Sequence, residues 1–255
     1  MGRYADAYAR SLQDPEGFWL EAAAAIDWHR APTRALDDSS APLYRWFPDG
    51  ELNTCHNALD RHVSAGRGGR TALIYDSPVT GTKASFTYAE LLDRVSRFAG
   101  VLAGLGVGVG DRVISYMPMV PEAVVAMLAC ARVGAVHSVV FGGFAPRELA
   151  QRIDDAKPKV VVAASCGIEP TRIVEYQPII ESALQISSHR PERLVVLQRP
   201  QAPATIGADT LDWHEAMRAA QPADCVNVRA TDPLYIRYTS GTKGRSKGVL
   251  RDVVQ

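Results

Sequence analysis

The chain has 255 residues, 47% hydrophobic and 22% charged, and its 28 basic side chains balance its 28 acidic ones. That length suits one large domain or two small ones. The balanced charge excludes a global field toward nucleic acid or a membrane surface, so neither is expected as a partner.

No apolar run reaches the roughly 18 residues of a membrane span. The opening MGRYADAYAR has no apolar secretory core, and Asp6 stands where myristoylation needs a hydroxyl. A cytoplasmic location is expected.

In chain order, Asp14-Pro15 offers an N-cap and a first-turn proline for a helix through Phe18, Trp19 and Ile26. Pro32, Pro42, Pro48 and Pro78 then interrupt the chain. Residues 1–84 are therefore expected to form a helical and looped region that wraps a surface more than it builds a sheet.

From Thr87 the pattern is regular. Thr87 and Glu90 form a T-x-x-E capping box, and Leu91, Leu92, Val95, Phe98, Ala99 and Leu102 recur at helical spacing. A glycine-rich connection leads to the strand-like RVISYM. Pro121 opens a helix that Gly134 ends, and AVHSVVF follows as a strand buried on both faces. A helix from Pro146 to Ala156 precedes the strand-like KVVVAAS. Strands alternating with single-striped helices imply right-handed crossovers and an α/β fold, a parallel sheet layered with helices. Residues 85–255 form the second expected region.

GLGVGVGD between Gly104 and Asp111 fits G-x-G-x-x-G in no register and lies between helix and strand, the reverse of the dinucleotide context. It is a helix stop and turn. Cys55, Cys130, Cys166 and Cys225 are scattered, read as reduced thiols, with Cys130 on an apolar helix face. His56 and His62 are six apart, a spacing that one helix face cannot present to a metal, so no metal site is expected. His137 in a buried strand is expected to be a hydrogen-bonded core histidine.

The chain closes on YIRYTSGTKGRSKGVLRDVVQ. The run Asp232–Tyr238 is strand-like. Gly241, Gly244 and Gly248 let the backbone approach a ligand, Thr239, Ser240 and Thr242 offer hydroxyls, and Lys247 adds a point charge. The segment does not fit the Walker A pattern. From its residues alone it is either a phosphate-gripping loop or a solvated Ser/Gly/Lys turn.

This segment resembles the phosphate loop of the adenylate-forming enzymes, YTSGTTGxPKG. RWFPDGELNTCHNALDRH, GDRVISYMPMVPEAVVAMLACARVGAVHSVVFGGF and RIDDAKPKVVVAASCGIEP resemble the acetyl- and propionyl-CoA synthetase branch. FWLEAAAAIDWHRAPTRALD and KGVLRD look closer to the propionate-activating members. The resemblance implies the first part of the large N-terminal domain of such a ligase, and a reaction in two steps. A carboxylate, propionate or acetate, attacks the α-phosphorus of Mg-ATP (Mg²⁺ as cofactor), giving acyl-adenylate and pyrophosphate. The thiol of coenzyme A then displaces AMP.

By the same resemblance Thr239, Ser240, Gly241, Thr242, Lys243, Gly244 and Lys247 hold the ATP phosphates, while Arg172, Gly142 and Gly143 lie at the coenzyme A site. Lys243 stands where relatives have a second Thr, and Ser246 where they have Pro. Arg237 occupies an apolar strand position, where an unpaired buried charge would cost several kcal/mol. Members of the branch are more than twice this length, so the chain is expected to be truncated, with catalytic groups beyond Gln255. A separately encoded C-terminal part is one partner the resemblance allows. An acetyl-CoA synthetase fragment and a non-catalytic nucleotide- or coenzyme A-binding remnant or subunit are the alternatives.

Overall fold

The computed structural model describes residues 2–239 and 247–254. It begins with α1 (Arg3–Gln13) and α2 (Pro15–Ala23), whose N-cap Asp14 accepts from the Gly17 amide at 2.9 Å. The helix stops short of Ile26. The Ile26 amide and the Trp28 indole both donate to the Ala23 carbonyl, at 3.1 and 2.8 Å, which tightens the last turn and ends the α-pattern.

Three two-residue strands follow, β1 (Leu36–Asp37), β2 (Arg45–Trp46) and β3 (Glu51–Leu52), then π-helical turns at His56–Asp60 and Val63–Arg67. β4 (Thr71–Ser77) and β5 (Thr82–Thr87) form an antiparallel hairpin from Thr71↔Thr87 to Ser77↔Thr82. The early residues therefore build more sheet than their prolines suggest. Pro78 falls in the connecting turn, where its missing N–H breaks no ladder bond, and Gly81 takes φ +66° there.

α3 (Tyr88–Gly104) begins at the expected capping box. Glu90 N donates to the Thr87 hydroxyl at 3.2 Å, and Thr87 N donates to the Glu90 carboxylate at 2.8 Å. The alternation β6 (Arg112–Met117), α4 (Pro121–Arg132), β7 (Val136–Phe141), α5 (Pro146–Ala156) and β8 (Val160–Ala164) also follows the sequence pattern. A small antiparallel pair, β9 (Cys166–Ile168) and β10 (Ile173–Glu175), precedes α6 (Gln177–Ile186) and β11 (Arg193–Leu197). β12 (Thr210–Asp212), α7 (Trp213–Ala219), β13 (Val228–Arg229), β14 (Pro233–Thr239) and β15 (Lys247–Asp252) complete the order.

Seven strands form one sheet in the order β12-β11-β8-β6-β7-β14-β15. Every neighbouring pair is parallel except β14 with β15. β6 lies between β7 and β8, with Val113 in register with both His137 and Val160. The chain steps from β6 outward to β7, then back past β6 to β8. Right-handed crossovers put α4 and α5 on opposite faces, and the helices pack accordingly, α3 with α4 and α7, α5 with α6. The result is a three-layer α/β fold.

The core fills the space between sheet and helices with Phe98, Leu102, Ile114, Tyr116, Leu149 and Ile153, all fully buried. Phe98 and Trp213 stack with ring centroids 3.8 Å apart, joining α3 to α7. Burial of such side chains contributes about 1.5–3 kcal/mol each.

β7 departs from the expected two-sided burial: Val139 is 50% and Phe141 62% exposed. β14 meets β7 in register only at Tyr235↔His137, so the carboxyl-terminal halves of the two strands flank a cavity instead of pairing. Side chains that a neighbour would have covered line that cavity.

Candidate functional site

Reversal of winding direction after β7 puts the switch point between the carboxyl ends of β6 and β8, the place where open α/β sheets bind ligands. Gly142 and Gly143 lie on the other side of β6, immediately after β7. The Gly142 amide donates to the Met117 carbonyl at 3.3 Å, bridging the two strand ends. The Gly143 amide donates to the Tyr116 hydroxyl at 3.0 Å, and that hydroxyl donates to the Phe144 carbonyl at 2.9 Å. Gly143 has φ +110°, a conformation that disfavours any side chain. At Gly142 the constraint is space, because a Cβ would run into the Tyr176 hydroxyl. Tyr176 packs at 4.9 Å on Tyr116, and burial raises the pKa of both phenols, keeping them neutral.

Beside these glycines lies a pocket of about 470 Å³ between the hairpin β4–β5 and the carboxyl ends of the sheet, reached by Gly142, Glu169, Tyr176 and Arg199. Arg172 closes the β9–β10 turn opposite Glu169, which lines this pocket. Its Nε donates to Glu169 at 2.7 Å, and the Glu169 amide donates back to the Arg172 carbonyl at 2.9 Å. The hydrogen bond from Arg172 holds the Glu169 carboxyl below its ordinary range. The two charges neutralise one another at an exposed site, so Arg172 meets an anion only by releasing Glu169.

Arg199, just past β11, is a second cation at this pocket and donates to the Cys166 carbonyl at 3.1 Å. Sequence reasoning passed over it because RLVVL was not read as a strand of the same sheet. Recognition of that run would have placed Arg199 at the carboxyl end with the glycines.

The second cluster is one strand over. Thr239 ends β14, Lys247 begins β15, and the two are cross-strand partners in the terminal hairpin. Both are exposed. Ser240, Gly241, Thr242, Lys243, Gly244 and Ser246 lie outside the described residues. Thr239 also lines the cavity of about 680 Å³ between β7 and β14, with His137, Arg152, Arg237 and Tyr238.

The chemistry of this cavity is cationic and aromatic. Arg152 is almost fully buried; it donates to the Glu148 carboxylate at 2.8 Å and lies over the rings of Phe144 and Tyr238 at 5.0 and 5.1 Å. Tyr238 donates to Asp155 at 2.7 Å. Arg237 is exposed, so the expected cost of burying its charge does not arise; alternation along β14 turns it toward solvent. His137 is not a satisfied core histidine. Its Nδ1 is buried without a hydrogen-bond partner, its ring stacks 5.7 Å from Tyr235, and burial lowers its pKa to about 4. It faces the cavity as a neutral ring.

The His56 ring is 3.7 Å from Asp27, and His62 Nδ1 accepts from Arg67 at 2.9 Å. Among the described residues no helix is long and apolar enough to cross a membrane.

Comparison with known proteins agrees with the α/β fold. Residues 59–253 match the model of the AMP-binding enzyme family, and residues 4–58 match the acetyl-coenzyme A synthetase N-terminus. The chain belongs to the AMP-binding enzyme family. It is 56% identical over 251 residues to an uncharacterized protein of Pseudomonas aeruginosa, covering 98% of this chain and 40% of that protein. It is 53% identical to the mitochondrial acyl-CoA synthetase short-chain family member 3 of Homo sapiens, covering 97% of this chain and 36% of the relative. Acetyl-coenzyme A synthetase of Thiobacillus denitrificans is 48% identical, with 98% and 38% covered. The solved acetoacetyl-CoA synthetase from Streptomyces lividans superposes with a TM-score of 0.87 at 27% identity, over 100% of this chain and 39% of that one. The chain thus spans about two fifths of the length of these relatives.

Proposed function

We propose that this chain supplies the phosphate-gripping and coenzyme A-facing part of an AMP-forming short-chain acyl-CoA synthetase, acting on propionate ahead of acetate. On this reading residues 85–255 are the first part of the nucleotide-binding α/β domain. The observation that carries it is the placement of Gly142–Gly143 and of Thr239 paired with Lys247 at the carboxyl ends of the neighbouring parallel strands β7 and β14.

ATP, coenzyme A and Mg²⁺ fit the residues present. The cavity beside Thr239 has Arg237 and the Arg152–Glu148 ion pair in its wall, so Arg237 is left as its net positive charge and the field there favours an anion. Lys247 and the hydroxyl of Thr239 would hold the β- and γ-phosphates and steady the charge that builds as pyrophosphate leaves. Mg²⁺ would be held chiefly by the phosphates it accompanies. Gly142 and Gly143 would let the pantetheine of coenzyme A approach the backbone, with Arg172 and Arg199 toward its phosphates. The preference for propionate follows the resemblance at both ends of the chain and is small, since one methylene contributes about 1–3 kcal/mol in an apolar pocket.

The test is acyl-CoA formation by a graft in which this chain replaces the matching N-terminal part of the Pseudomonas relative, with the relative itself as reference. Expected are activity with both acids and a higher kcat/KM for propionate. A graft that folds but forms no acyl-CoA, beside an active reference, overturns the reading of the site; an acetate preference in both overturns the substrate.

A further inference from the structure

The thiols of Cys55 and Cys225, 170 positions apart in sequence, meet in the seam where residues 51–60 pack against α4 and the segment before β13. Their sulfurs and the Asp60 carboxylate lie within 4.8 Å of one another. Arg132, 5% exposed, holds the group together: its Nη1 donates to Asp60 at 2.8 Å, to the Cys225 sulfur at 3.1 Å and to the Cys55 sulfur at 3.6 Å. The backbone fixes both thiol-bearing segments. Arg132 Nε donates to the Ala223 carbonyl at 2.6 Å and Val226 N to the Arg132 carbonyl at 2.8 Å. On the other side, Asn53 Nδ2 donates to the carbonyls of Ala131, Arg132 and Val226 at 2.9, 3.1 and 2.7 Å. The two sulfurs are held near one another by a rigid polar frame, not by chance contact of mobile loops.

Two cysteines and a carboxylate also suggest a metal. The guanidinium stands against it, because Arg132 already contacts all three donors, and a divalent cation among them would face that fixed positive charge. The same guanidinium favours thiolate, the form that reacts with oxidants. The Cys55 thiol is held below its ordinary range by a hydrogen bond from Cys225 and by Arg132, while that same hydrogen bond and burial raise the Cys225 thiol, so Cys55 is the thiolate of the pair. Cys55 has no exposed surface and Cys225 is half-buried, so an oxidant enters from the Cys225 side.

We propose that Cys55 and Cys225 are a reversible oxidation site that closes to a disulfide under peroxide. One sulfur of the pair, as thiolate, attacks the O–O bond of hydrogen peroxide and becomes a sulfenic acid, with hydroxide leaving. The second thiol then attacks that sulfenic sulfur, forming the S–S bond and releasing water, while its proton goes to the leaving oxygen. The sum oxidises two thiols by two electrons and reduces one peroxide to two waters; a dithiol reductant reverses it. The bridge ties the acetyl-coenzyme A synthetase-like N-terminal segment to the connection between α7 and β13, closing a loop of most of the chain, so it acts as a brace against unfolding.

The experiment is differential alkylation and peptide mapping of the unaltered protein before and after mild peroxide. Expected is joint loss of alkylation at Cys55 and Cys225, one cross-linked peptide pair, and full recovery with dithiothreitol. Cys130, fully enclosed and with its thiol pushed up to about 12 by burial, serves as the unreactive reference. A rise in Tm of about 5 °C or more should accompany the bridge, and neither Cys55→Ser nor Cys225→Ser should show it. Separate alkylation of both cysteines at a dose that oxidises the 84% exposed Met119 overturns the proposal. So does stoichiometric zinc binding that alkylation abolishes.

Discussion

Burial of His137 writes a pH dependence into the fold. Its pKa drops to about 4 from the ordinary 6.5, so the unfolded chain binds the proton more readily than the folded one. Stability from this group is therefore full above pH 6.5 and is lost as pH falls toward 4. The loss reaches up to about 3 kcal/mol, because each tenfold weakening of proton binding corresponds to about 1.4 kcal/mol. Denaturant unfolding across that window should show the decline, and His137→Phe should flatten it; an unchanged slope in the variant contradicts the assignment. Gly142 gives a steric prediction. Gly142→Ala forces a Cβ against the Tyr176 hydroxyl, which Tyr116 backs, and should destabilise by about 1–3 kcal/mol. Gly104→Ala, where a Cβ meets nothing within 4 Å, is the control and should cost nothing in urea unfolding. Equal effects of the two would remove the steric account.

Helices and their ends were the most legible elements. The Thr87–Glu90 box, Pro121 and Pro146 each begin a helix at the residue their chemistry indicates. Thr87→Ala should cost about 1–2 kcal/mol, read as a lower urea midpoint with unchanged slope, because it removes an N-cap acceptor at the base of the longest helix described. No shift would mean that burial alone fixes the start of α3. Strands were less legible. VVVAA and RVISYM stood out because both faces are buried, whereas β4 and β5 mix exposed and half-buried positions and β15 is almost wholly exposed, so they needed partners to define them. β15 is visible only as the antiparallel return of β14, a pairing that no local pattern of KGVLRD announces. The cavity-facing side of β7 escapes the sequence for the same reason: AVHSVVF is apolar but for His137 and Ser138, one on each face, and only the splaying of β14 leaves Val139 and Phe141 uncovered.

At the scale of the molecule, the parallel sheet gathers residues that sequence keeps far apart. Gly142 follows β7 and Thr239 ends β14, yet they share one end of the sheet because those strands point the same way. The motif around Thr239 and Lys247 was readable as text; the contribution of Arg199, the Glu169–Arg172 pair and the orphaned His137 nitrogen was not, since each depends on which strands neighbour which. Nor did spacing reveal that Cys55 meets Cys225. The central claim is that the Thr239–Lys247 hairpin grips ATP phosphates while a short carboxylate is adenylated. Acid-dependent exchange of labelled pyrophosphate into ATP isolates that step from thioester formation, and the graft onto the Pseudomonas relative is the protein to assay, with the 255-residue chain alone run beside it. The account predicts propionate- and acetate-dependent exchange that Lys247→Ala lowers by about 100-fold with folding intact; exchange that survives Lys247→Ala undiminished would contradict it.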